Sequence, residues 1–113
     1  MANGQHCVRV VIAVLLTLVQ TSCSRDAAHY LNVGNRNYEQ GKYAEAAINY
    51  HKSAQKDPNS AEVHYRLGLA ELKQGNSVVA YQELRQGLQL APDRDDIRIK
   101  LADVALNGYR DTP

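Results

Sequence analysis

Apolar and small residues recur along most of this chain at intervals of three to four, the spacing that puts side chains on one face of an α-helix. Tyr30, Val33, Asn37 and Gln40 follow an i, i+3, i+7 pattern, and Leu67, Ala70 and Gln74 repeat it. Ala46, Ala47, Tyr50 and Ala54 form a second kind of stripe, as do Ala80, Leu84 and Leu88. No stretch alternates with the two-residue period of a half-buried strand. The spacing predicts helices over residues 26–40, 43–56, 60–73, 77–90 and 95–107, hence an all-α chain.

The pattern repeats itself. Shifted by 34 residues, Gly34 meets Gly68, Gln40-Gly41 meets Gln74-Gly75, Ala46 meets Ala80 and Pro58 meets Pro92. Val33, Leu67 and Leu101 form a threefold series, with Ala102 in the third glycine's place. Gly34 and Gly68 fall mid-helix, where glycine costs about 1 kcal/mol relative to alanine. Such a cost is expected where a partner helix must come close, with Ala46 and Ala80 as the small residues opposite. Gly41 and Gly75 suit a left-handed cap ending each first helix. Pro58 and Pro92 stop the second helices, with Asn59 and Asp93 as turn or cap residues.

A period of 34 with these fixed points resembles the tetratricopeptide repeat (TPR). The resemblance implies helix-turn-helix units stacked as a short right-handed superhelix of five helices. The units run over residues 27–60 and 61–94, followed by a partial third repeat or capping helix over 95–107 and a tail over 108–113. Departures from the family pattern are His64 at an aromatic position, Asn37 and Glu71 at a tyrosine position, and Ser53 and Gly87 at a small position. The incomplete third unit leaves two readings open: a small protein with a capping helix, or the front of a longer array.

The first residues are a different material. A polar start with His6 and Arg9 leads into the apolar stretch Val10 to Val19, then Gln20, Thr21, Ser22 and Cys23. This is the three-part plan of a secretory signal peptide, and about ten apolar residues fall short of the roughly 20 that span a bilayer. Residues 1–22 are expected to be removed, and 23–26 to form a tether. Thr21-Ser22-Cys23 is similar to the lipobox of bacterial lipoproteins, with Gln20 replacing the usual leucine. That resemblance implies that Cys23 is the acylated mature N-terminus, carrying palmitate or similar chains. Two or three chains anchor stably, since each buried methylene contributes about 0.8 kcal/mol. Cys7 would leave with the signal peptide, so no disulfide is expected. Ser24 after the cysteine leans towards the outer membrane of a double-membraned envelope, with the chain facing the periplasm.

Charge changes this picture little. Of 13 Lys and Arg only Arg9 precedes Cys23, so the remaining 12 balance the 12 Asp and Glu that follow it. A nucleic-acid binder would show a basic excess. Phe and Trp are absent and all seven aromatics are Tyr, which suits a thin layered stack better than a thick core. None of His6, His29, His51 and His64 has metal-ligand spacing to another donor. His29 and His64 are expected to decorate helix starts. No Gly-x-Ser-x-Gly or phosphate loop occurs. The Asp93, Asp95, Asp96 cluster suits capping and the helix dipole. No cofactor, metal or enzymatic activity is expected.

In stacked helix pairs the first helices line a concave side. Their outward face would carry Ala28, Leu31, Asn35 and Tyr38, then Glu62, Tyr65, Leu69 and Leu72, then Asp96, Ile99, Asp103 and Leu106. This predicts a mainly apolar strip taking a protein or peptide partner, against the plainer alternative that several of these residues pack successive first helices together. Some TPR domains bind acidic chaperone C-termini through a clamp of Lys and Asn on this face. Asn35 fits one clamp position, but Leu31 and Arg66 stand where Lys and Asn are needed, so the clamp is not present. The chain as a whole resembles the TPR lipoproteins of bacterial exopolysaccharide and exosortase (PEP-CTERM) systems, which implies a membrane-anchored scaffold for an envelope assembly. The alternatives are the N-terminal module of a larger envelope enzyme and a soluble periplasmic carrier of an apolar ligand.

Overall fold

A computed structural model describes residues 25–110 as five α-helices with no strand among them. They are α1 over residues 25–39, α2 Tyr43–Lys56, α3 Ala61–Lys73, α4 Ser77–Leu90 and α5 Asp95–Arg110. The helix limits agree with the spacing to within a residue, except that α5 continues past residue 107 through Gly108 to Arg110. The apolar stretch before Cys23, and Cys23 itself, lie outside the described residues. No described helix is long and apolar enough to cross a membrane.

The turns follow from the residues in them. Gly41 and Gly75 adopt φ of +75° and +82°. This left-handed geometry lets the next amide reach back, from Lys42 to the Asn37 carbonyl and from Asn76 to that of Glu71, each at 2.9 Å. Both are Schellman caps, in which carbonyls at the helix end recover a donor. Ser60, not Asn59, is the N-cap of α3, its hydroxyl accepting from the Val63 amide at 3.4 Å. Asp95 and Asp96 occupy the first turn of α5, where negative charge meets the positive helix end.

Each second helix packs against its own first helix at the repeating glycine. A Cβ on Gly34 would lie 2.6 Å from Cε1 of Tyr50, and one on Gly68 would lie 2.8 Å from Cγ of Leu84. Tyr50 and Leu84 are fully buried, together with Ala46 and Ala80 one turn earlier. One turn later the units solve the same contact differently. The Ser53 hydroxyl donates to the Ala27 carbonyl at 2.8 Å, while the backbone at Gly87 comes so near the Ala61 carbonyl that a Cβ would sit 3.2 Å from it. Both positions demand a small residue because a carbonyl of the first helix is pressed against them.

Two apolar clusters result. One joins Ala46, Ala47 and Tyr50 of α2 to Leu67 and Ala70 of α3, and the other joins Leu84 of α4 to Ile97 and Val104 of α5. Helices therefore pack mainly on their sequence neighbours, α2 on α3, α3 on α4 and α4 on α5.

Two glycine replacements should have opposite signs. Gly68→Ala should lower the free energy of unfolding by about 1–2 kcal/mol, because overpacking against Leu84 outweighs the gain in helix propensity. Gly108→Ala meets nothing within 4 Å and should raise it by up to about 1 kcal/mol. Urea unfolding of both variants checks the pair.

Candidate functional site

The outward face of the first helices was the expected binding strip, and its residues have divided duties. Leu31 and Tyr38 are half-buried and pack against the first cluster, and Tyr38 also meets Tyr43 edge-on at 5.1 Å. Burial, then the neighbouring Tyr43, pushes the Tyr38 hydroxyl pKa up. Tyr65 and Leu72 are likewise half-buried and pack against the second cluster. These four side chains join one unit to the next. Leu69 is half-buried, while Ile99 is 70% exposed.

Asn35 has a partner inside the fold. Its Oδ1 accepts the Tyr50 hydroxyl at 2.8 Å, beneath the close approach at Gly34. Burial raises the Tyr50 pKa to about 12, so the hydroxyl keeps its proton and acts as a donor. The same place in the second unit holds Leu69 and Leu84. Where the second helix brings a phenol the first helix supplies an acceptor, and where it brings an aliphatic chain the first helix does too.

The charged part of the face is a network. Glu62 accepts from Arg66 Nε at 2.6 Å through one oxygen and from Arg94 Nη1 at 2.9 Å through the other. Arg94 also grips Asp96 through Nε at 2.8 Å and Nη2 at 2.6 Å, and lies over the Tyr65 ring at 5.3 Å. Burial pushes the Glu62 carboxyl up, but its two arginine hydrogen bonds prevail and hold it below the usual carboxylate range. Arg94 holds Asp96 at about 2. The network ties α3 to the α4–α5 turn and to α5, so Arg66 and Arg94 already have carboxylate partners. With Lys100 3.6 Å from Asp103, matched charges run alongside the apolar side chains of this face.

His64 has a larger role than its position suggests. It sits in the first turn of α3, as expected, but it does more than decorate it. Its Nδ1 lies 2.7 Å from Glu83 Oε2 on α4 and its Nε2 lies 2.9 Å from the Pro58 carbonyl. Both neighbours accept hydrogen bonds, so the doubly protonated ring fits best. The Glu83 bond, opposed by burial and helped by Pro58, raises the His64 pKa above 6.5. Glu71, another departure from the repeat pattern, is buried and accepts from Asn76 Nδ2 at 2.7 Å, so it braces the α3–α4 turn. Neither role has a signature in helical spacing, since each depends on a carbonyl or loop atom from another element. Among the described residues no cluster of three or more His, Cys, Asp or Glu could hold a metal ion.

The comparisons agree with this architecture. A family model for the TPR repeat matches residues 34–75. The second TPR of Spaghetti (RPAP3), solved with the HSP90 peptide SRMEEVD, is 18% identical with a TM-score of 0.77, covering 81% of this chain and 84% of that one. The first TPR of the same protein, solved with the same peptide, is 21% identical with a TM-score of 0.72, covering 77% and 71%. No curated protein matches the chain. The fold is thus the all-α TPR fold of helix-turn-helix units that the 34-residue period predicts.

Two predictions follow from the side-chain pairs. Asn35→Leu should cost about 1–3 kcal/mol by orphaning the Tyr50 hydroxyl, and adding Tyr50→Phe should recover much of that loss; a double-mutant cycle in urea measures it. Because the folded pKa of His64 is raised, its contribution is full below about pH 6.5 and fades as pH rises through the folded value. The stability gap between wild type and His64→Gln should therefore be wider at pH 5.5 than at pH 9 in urea melts.

Proposed function

We propose that this protein is a membrane-anchored TPR scaffold that holds a protein or peptide partner on the face of its first helices, in a bacterial envelope assembly such as exopolysaccharide export or protein sorting. The observation that carries the scaffold reading is the ordered face itself. Arg94 fixes Glu62, Asp96 and Tyr65 in one arrangement, so a partner meets groups already held in place. Preorganisation of this kind reduces the ordering cost of binding. Both RPAP3 domains hold a peptide, which supports a peptide partner here. That partner differs from theirs in chemistry, since Leu31 replaces a clamp lysine and Arg66 is occupied by Glu62.

Anchoring rests on the sequence before α1. The apolar stretch Val10 to Val19 ending in Thr21-Ser22-Cys23 supports export and acylation of Cys23, with the repeats facing the periplasm and Ser24 favouring the outer membrane. The reading is non-enzymatic and involves no cofactor, metal or nucleic acid.

Mass spectrometry of the protein recovered from bacterial membranes tests the anchor. The expected result is a mature chain beginning at Cys23 and carrying a diacylglyceryl mass; an unmodified terminus, or one beginning after Cys23, refutes it. Photo-crosslinking groups at Leu69 and Ala28 test the scaffold. They should trap one defined protein that a group at Gln55 on α2 does not, and failure to trap any removes the proposed binding face.

A further inference from the structure

The first helix presents to solvent a row of side chains that the later helices bury. The 34-residue period sets His29 and Arg36 of α1 in the places of Val63 and Ala70 of α3, and of Ile97 and Val104 of α5. Those four apolar residues are buried, whereas His29 and Arg36 are exposed. Arg25 and Asn32, also exposed, complete the row at the i, i+4, i+7, i+11 spacing of one helix face. From Arg25 to Arg36 it runs about 16 Å. Lys52 of α2 borders it: its Nζ lies 5.6 Å from the Tyr30 ring, which meets the His29 ring edge-on at 5.5 Å.

The charge in this row has one sign. Of the two acids of α1, Asp26 turns towards Lys56 at 4.0 Å, and Glu39 is the last residue, at the end away from Cys23. Among the described residues no carboxylate pairs with Arg25 or Arg36, whereas Arg66, Arg94 and Arg98 further along each hold one. The outer surface of an end helix must be polar to be solvated, but either sign of charge satisfies that need. The place of the row is what gives its sign a use. Only Ser24 separates Cys23 from Arg25, and two peptide units reach at most about 7 Å. A lipid on Cys23 would hold the start of α1 within one Debye length of the headgroups, about 8 Å at physiological salt.

We infer that the row of Arg25, His29 and Arg36, with Lys52 beside it, docks on anionic lipid headgroups and lays α1 along the membrane surface. The inference rests on the Cys23 anchor proposed above. Each arginine at such a surface strengthens binding about fivefold. That is too little to recruit the protein from solution, but enough to select an orientation once a tether supplies the proximity. In α3 and α5 the equivalent positions face the preceding helix, so this side of α1 is turned away from the rest of the stack. Ala28, Leu31 and Tyr38 lie roughly 100° round the helix from the row. Docking therefore leaves the partner face open and points successive helix pairs away from the bilayer.

The chain from Cys23 to Pro113, in which Cys23 is the only thiol, tests the inference when coupled through that thiol to a maleimide lipid in nanodiscs. The coupling works whether or not a cell acylates the cysteine. Trace headgroups carrying a gadolinium chelate broaden amide resonances close to the surface. Broadening at residue 36 should be several-fold stronger on discs containing phosphatidylglycerol than on phosphatidylcholine alone, and the difference should fade in high salt. Arg25→Gln/Arg36→Gln should bring that ratio close to one with an unchanged circular dichroism spectrum. Lys73→Gln/Arg85→Gln, which removes the same charge from α3 and α4, should preserve it. An equal response on both lipids overturns the proposal and leaves the row to solvent or to an acidic protein; a ratio that the arginine variant keeps also overturns it. If the coupled chain docks while the chain from cells carries no lipid, the anchor fails and the lipid-binding row stands. A chain acylated in cells that does not dock overturns this inference alone.

Discussion

Everything in this stack depends on how closely the second helix of a unit approaches the first. The distance is set where Tyr50 lies over Gly34 and Leu84 over Gly68, with no room for a further carbon. Ser53 and Gly87 then rest on the carbonyls of Ala27 and Ala61. With that separation fixed, the outer faces of each pair lie where the next pair can cover them. Interior packing is dense enough that adding one methyl group is felt. The cost of glycine within a helix is therefore the condition for the layered core, and a chain without Phe or Trp can still close one.

The fold was largely legible in the sequence because its determinants are local or periodic. Gly41 and Gly75 announce their left-handed caps, and Gly34, Ala46 and Tyr50 stand at repeating distances from one another. The extension of α5 through Gly108 was not legible: glycine weakens a helix without forbidding it. Less of the candidate face could be read. Helical spacing identifies a direction, and that direction serves both a binding surface and the seam between successive first helices. Leu31, Tyr38, Tyr65 and Leu72 went to the seam. The reach of Arg94 from the α4–α5 turn to Glu62 on α3 is a three-dimensional fact that no one-dimensional pattern carries.

Electrostatics here fixes relative position more than it adds stability. Exposed ion pairs typically contribute little on their own. The Arg66–Glu62–Arg94–Asp96 chain instead holds two helices and a turn in one register, and Tyr65 lies beneath it. His64 does comparable work on the other side of α3, linking Glu83 of α4 to the Pro58 turn. The third helix is thus pinned from both flanks.

The Tyr50–Asn35 pair bears on how such units are inherited. The two units differ at both of these positions, with phenol and amide in one and leucine at each place in the other. A recombination breakpoint falling between residues 35 and 50 would separate the members of such a couple and strand a buried hydroxyl or an amide. One falling in the turns near Pro58 or Pro92 would keep each couple intact. The natural currency of exchange in this chain is therefore the whole helical pair, because a single helix taken alone leaves its complement behind.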